Sequence, residues 1–266
     1  MSTSSPAQAS PVPRHPWWAT SAVGLATFSV VTTEMLPVGL LTPIAEDLGA
    51  STGTAGLMIS LPALLAAVFA PLVVIAAGGI DRRRILCALL ALLLVANLAS
   101  ALAPGIGWLL AARVLVGFCM GGIWAIAGGL AARLVPAQRM GLATSIIFGG
   151  VAAASVLGVP LGALIGDALG WRSAFVALAL FSAAVMLLHL RVVPALPVST
   201  SVRLRQFVQQ LGQRDLRRGL WLTVLLVSGH FIAFTYVRPL LTSVSSVDAS
   251  WIGALLFAYG LAGIAG

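Results

Sequence analysis

Glu34 stands inside the apolar phrase FSVVTTEMLPVGLL (residues 28–41), Arg113 inside the run 107–130, and His230 inside the run 219–240, whose far end carries Arg238. A charge at mid-span costs about 2.5–3.5 kcal/mol on insertion scales, so such groups are expected to face a polar cavity or one another. At about 1.5 Å per helical residue, Glu34 lies roughly 10 Å from Leu41, and Arg113 about as far from Gly107. With the two runs crossing in opposite directions the depths match, and a carboxylate–guanidinium pair is expected. Proton binding would switch that pair between two electrostatic states, the basic requirement for ion coupling. The same pair could equally serve only to pin two helices together. His230 admits a proton-relay or hydrogen-bonding role and also a plain helix–helix contact.

Such groups need long apolar elements to hold them, and the composition supplies these. Of 266 residues, 60% are hydrophobic and 8% charged, whereas soluble domains carry about 25% charged residues. Eight runs reach or approach the roughly 20 residues of a spanning helix: 18–41, 54–80, 85–103, 107–130, 141–166, 173–190, 219–240 and 251–266. A β-barrel would show short alternating segments instead. The expected class is therefore an all-α polytopic membrane protein.

All fifteen basic residues are arginine. With the N-terminus inside, Arg14, Arg82, Arg83, Arg84, Arg133, Arg139, Arg191, Arg203, Arg205, Arg214, Arg217 and Arg218 fall on the cytoplasmic side, and only Arg172 and Arg238 outside. The positive-inside rule predicts that orientation. The net charge of +8 is thus a topology signal spread over inner loops, and no nucleic-acid partner is expected. Trp18, Trp108, Trp171, Trp221 and Trp251 fall near predicted span ends, where amphipathic rings belong.

The enzyme signatures are absent. There is no lysine, hence no G-x-x-x-x-G-K-[ST] phosphate loop, and no H-E-x-x-H or G-x-S-x-G occurs. Ser228 and His230, two residues apart on one helix, point in divergent directions. Cys87 and Cys119 lack metal-ligand spacing and read as small buried hydrophobes. No enzyme activity, cofactor or metal is expected, so uphill movement of a substrate would draw on an ion gradient.

Residues 1–17 are Ser-, Pro- and Ala-rich and read as a disordered cytoplasmic segment. Residues 18–190 form a six-span bundle. Residues 191–218 form a basic linker in which Leu204, Phe207, Val208 and Leu211 predict a short amphipathic helix on the membrane face. Residues 219–266 begin a second set, whose last run is still apolar at the chain end and is read as cut short. The ionisable positions recur on every third helix, as expected when the first helix of each three-helix repeat lines a shared cavity. Arg113, Gly117 and Gly121 share one face of the fourth helix, where the glycines invite close backbone approach. Gly150, Gly158, Gly162 and Gly166 surround Pro160 on the fifth, which predicts either small-residue packing alone or a bent helix at a moving interface.

RVLVGFCMGG resembles the fourth-helix signature of the major facilitator superfamily, and GVPLGALIGDALGWRSAF resembles the fifth-helix antiporter signature of its drug and metabolite efflux branch. GGIDRRRIL resembles a shortened form of the family's loop signature. It keeps Asp81, Arg82, Arg83 and Arg84 and lacks the glycine expected before the last arginines. Within the branch, EMLPVGLLTPIAEDLG, GGIWAIAGGLAARLVP, SIIFGG and FIAFTYVRPLL look most like bacterial purine ribonucleoside efflux pumps, with sugar exporters nearby.

The resemblance implies a major facilitator fold: a complete six-helix bundle, then the first two helices of a second bundle whose remaining helices are missing. It implies a proton-coupled exporter of small polar metabolites in a bacterial inner membrane, purine ribonucleosides as the finest reading, with Glu34, Arg113 and His230 at the coupling cavity. Trp124, Thr235, Tyr236 and Arg238 are expected to line the substrate site, and Asp81–Arg84 to form a cytoplasmic gate loop. The contrary expectation is a shortened, transport-inactive membrane product.

Overall fold

The computed structural model describes residues 15–197, 209, 212–243, 248 and 251–265. No strand occurs among them. Among the described residues, seven helices are long and apolar enough to cross a membrane. They are α1 (Pro16–Asp47), α2 (Thr52–Ala76), α3 (Arg82–Ala101), α4 (Ile106–Leu134), α5 (Ala137–Leu169), α6 (Trp171–Val192) and α7 (Arg214–Thr235). Two shorter helices follow, α8 (Val237–Ser243) and α9 (Ile252–Ala265).

Local chemistry sets these boundaries. Pro16 opens α1 in the first turn, where its missing N–H costs no hydrogen bond; the helix thus begins within the segment expected to be disordered. Ser51 caps α2 by accepting from the Thr54 N–H at 3.1 Å, and Asp81 caps α3 by accepting from the Arg83 N–H at 2.8 Å. Gly170, at φ +85°, supplies the left-handed turn between α5 and α6.

Two departures from the expected spans have backbone causes. The run 219–240 is not one helix. α7 starts earlier, at Arg214, and stops at Thr235; Tyr236 leaves helical geometry at φ −103°, ψ 16°. Pro239 cannot donate the hydrogen bond to the Thr235 carbonyl that a continuing helix needs, so the chain restarts as α8 with Pro239 in its first turn. In α5 the five residues Ala154–Gly158 form a π turn directly before Pro160. That ring would press on the carbonyl of Val156, and the widened turn relieves it. The amphipathic helix expected at Leu204–Leu211 lies outside the described residues.

Small residues let the helices approach. Down the length of α1, Gly150, Gly158, Gly162 and Gly166 of α5 lie in turn against Gly24, Thr32, Leu36 and Leu40. Thr27 Oγ1 also donates to the Ile147 carbonyl at 2.6 Å. On α4, a Cβ at Gly117 would stand 2.8 Å from the Pro62 carbonyl oxygen, and one at Gly121 2.9 Å from that of Ala66. The glycine face of α4 therefore seats α2, as the spacing predicts.

The ends of the bundle are tied differently. At the end holding the α6 start, Arg172 reaches Asp47 at 2.6 Å and the Ala103 carbonyl at 3.1 Å. Trp171, expected at a membrane interface, is buried there, with its Nε1 donating to Asp47 at 3.1 Å. At the arginine-rich end, Asp81 accepts from the Leu196 N–H at 2.9 Å, Arg82 N–H donates to the Leu196 carbonyl at 3.1 Å, and Arg133 donates to the carbonyls of Leu196 and Pro197. The expected gate loop thus pins the chain leaving α6.

Candidate functional site

A cavity of about 600 Å³ lies between α1, α2, α4, α5, α7 and α9. Glu34 of α1 reaches it between Val31 and Met35, and it is the only acidic side chain among the described lining residues. Met120 and Trp124 come from α4, one helical turn apart, and Ser155 comes from the π turn of α5. The widened turn thereby shapes the wall.

The opposite wall is aromatic. His230 and Phe234, at i and i+4 on α7, stack at 5.9 Å with 12° between their planes. Tyr259 of α9 stacks on Phe234 at 5.1 Å, and its hydroxyl stands 3.4 Å from His230 Nε2. Across the cavity the Trp124 ring lies 5.8 Å from that of Phe148, and its Nε1–H is buried with no hydrogen-bond partner. A buried N–H left unpaired is costly. The site combines one carboxyl group with flat π surfaces.

Glu34, Trp124 and His230 all line this chamber. Arg113 stands apart. It is fully buried, its NH1 donates to the Thr33 carbonyl at 2.9 Å, and its guanidinium lies 4.7 Å over the Phe175 ring. The expected ion pair with Glu34 is absent from the ion pairs of the described residues. Depth counting gives height and not azimuth: Arg113 reaches the face of α1 where Thr33 accepts from Asn97 at 3.1 Å, while the next residue, Glu34, turns to the cavity.

Thr235, Tyr236 and Arg238 do not line the cavity either. Arg238 is 5% exposed and wedges between α1 and α5, donating to the Gly39 carbonyl and pairing with Asp167 at 3.3 Å. The Tyr236 hydroxyl packs on Gly56 of α2, and Thr235 is buried. All three belong to a closure where α7 and α8 meet the six-helix bundle. Asp167, Ser155, Phe231, Phe234 and Tyr259 were not singled out beforehand. The i, i+4 aromatic spacing of His230 and Phe234, and a lone acid directly after Gly166, were the available signals.

The family profile of the Major Facilitator Superfamily matches residues 23–266. The chain belongs to this superfamily. Among curated relatives, it is 33% identical over 255 residues to the purine ribonucleoside efflux pump NepI of Salmonella paratyphi A, and 32% identical to that of Salmonella typhimurium. Each alignment covers 96% of this chain and 64% of the relative, so the chain spans under two thirds of their length. Among solved structures, a bacterial homolog of the human lysosomal transporter Spinster, in an inward-facing and unoccupied conformation, superposes with TM-score 0.76 at 18% identity, covering 93% of this chain and 59% of that one. A POT family transporter in complex with 5-aminolevulinic acid gives TM-score 0.59 at 17% identity, covering 86% of this chain and 50% of that one. At these identities the solved structures speak to the fold, and they agree with a major facilitator arrangement of the helices of this multi-pass membrane protein.

Proposed function

We propose that the chain serves proton-coupled efflux of small polar metabolites, with purine ribonucleosides as substrate and Glu34 as the group that exchanges proton for substrate. The observation that carries this reading is the placement of the Glu34 carboxylate in a chamber walled by Trp124 and by the His230, Phe234 and Tyr259 rings. A planar base entering between Trp124 and the His230–Phe234–Tyr259 wall gains stacking worth about 1–3 kcal/mol. Ionised Glu34 accepts from a ribose hydroxyl or base N–H. Protonation removes that acceptor, so proton and substrate compete for one group, the condition for exchange. The names of the curated relatives support the same substrate class.

The closure at Arg238 and the exposed start of α7 support a cavity shut at one end and open at the arginine-rich end, which we place in the cytoplasm. The test is uptake of radiolabelled adenosine and guanosine into proteoliposomes bearing the chain, under an imposed pH gradient. Glu34→Gln should abolish the pH-driven component while the variant still inserts and stays monodisperse. Gradient-driven uptake equal to that of the unmodified chain would remove Glu34 from the coupling role.

A further inference from the structure

At the arginine-rich end a second recess, of about 540 Å³, opens between the start of α1, the start of α3 and the end of α6. It lies apart from the central chamber and shares no lining residue with it. Arg83 and Arg191 stand in its wall with His15, and its apolar side is Trp18 with Val192, Val193 and Pro194. No acidic side chain appears among its described lining residues.

The nearest candidate to neutralise these charges is Asp81, which lines the neighbouring recess with Arg83 and Arg84. Its one charge, held by the backbone N–H groups of Arg83 and Leu196, stands against those of Arg83, Arg84 and Arg191. Arg83 is itself only partly satisfied: its NH2 donates to the Leu190 carbonyl, while its Nε is buried with no partner. Arg191 is exposed in the last turn of α6, and Trp18 is 64% exposed in the first turn of α1. The recess therefore presents uncompensated guanidinium charge beside an exposed indole, at the level where helix ends meet the headgroup layer.

We infer that this recess binds the headgroup of an anionic phospholipid, with the phosphate between Arg83 and Arg191 and the glycerol and upper acyl chain over Trp18 and Val193. Guanidinium donors match phosphate oxygens in geometry as well as charge. Basic pockets between spanning helices on the arginine-rich side hold such headgroups by the same forces. A free phosphate ion would use the arginines and gain nothing from the indole and the valines; a lipid uses both. The bound lipid would join α1, α3 and α6 at the end where Arg83 already touches the α6 backbone.

The experiment is native mass spectrometry of the detergent-solubilised chain titrated with dioleoyl phosphatidylglycerol or dioleoyl phosphatidylcholine, with helical content checked by circular dichroism. The chain should retain phosphatidylglycerol at least fivefold better than phosphatidylcholine. Arg191→Gln, at an exposed helix end, should cut that preference about threefold or more. Arg217→Gln, an equally exposed arginine on α7, should leave it unchanged, as should millimolar inorganic phosphate. Equal retention of the two lipids, an unaltered Arg191→Gln, an equal loss in Arg217→Gln, or displacement of the lipid by inorganic phosphate would each overturn the assignment.

Discussion

α1 and α7 both present chemistry to the same chamber, yet they sit in the molecule in opposite ways. The most apolar stretch of α1 is 89% buried, and that of α7 is 6% buried. The number of neighbouring helices separates them: α1 packs against α2, α4, α5 and α6, whereas α7 has few helix contacts among the described residues. α1 carries Gly24, Thr27, Ser29, Thr32 and Thr33, every one buried and most in close contact or hydrogen-bonded to a neighbouring helix. α7 carries Leu220, Trp221, Leu222, Val224, Leu225 and Leu226, all exposed. Small residues on α1 let neighbouring backbones approach closely. A polar group on α1 is therefore fixed by its surroundings. One on α7 is placed by its few contacts near the Arg238 closure and with α9.

The comparison breaks most easily on the α1 side. A side chain at Gly158 would run into Thr32, whose Oγ1 is buried and unpaired. Gly158→Leu should lower stability by about 3 kcal/mol, since overpacking a close contact typically costs 1–3 kcal/mol and occasionally more. Thermal unfolding in detergent should show a clear drop in midpoint. A midpoint matching the unmodified chain would mean that α1 and α5 are not in close register at this turn.

A smaller effect sharpens the α7 side. Arg238 is the charged link from the α7–α8 junction to α1 and α5. Arg238→Ala removes a charge-assisted bond to the Gly39 carbonyl together with the Asp167 pair, and should cost about 2 kcal/mol. Asp167, with a side chain 40% exposed, should cost less when changed to Asn, about 1 kcal/mol. The double variant should fall short of the sum by about 0.5–1 kcal/mol, the signature of a direct contact. Strict additivity would show that the two side chains act independently.

These two cases mark how far the residues could be read in advance. The first six spans and the glycine faces of α4 and α5 followed from hydropathy, spacing and period, because each is a property of one helix and its depth. Arg113 and Arg238 did not, because their roles depend on which way neighbouring helices turn. Equal depth put Arg113 beside Glu34, whereas the rotation of α1 gave it the Thr33 carbonyl instead. Arg238 was expected at a substrate wall, and the break that Pro239 forces after Thr235 swings it into the bundle. Neither the break after Thr235 nor the direction of the chain beyond it was anticipated, since 219–240 read as one span.

The smallest expected effect bears on what the exposed face of α7 meets. Leu225 is 67% exposed and Leu222 69%. In a bilayer or micelle, an apolar side chain facing hydrocarbon gains little from staying large, because lipid and protein interior are similarly apolar. Leu225→Ala should therefore shift stability by no more than about 0.5 kcal/mol, as exposed positions without specific contacts generally do. The measurement is the unfolding midpoint at two protein concentrations tenfold apart. A loss above about 1 kcal/mol at both would mean that another part of the chain covers this face in solution. A loss that grows with concentration would mean that a second copy does, and α7 would then resemble α1 in being packed rather than free.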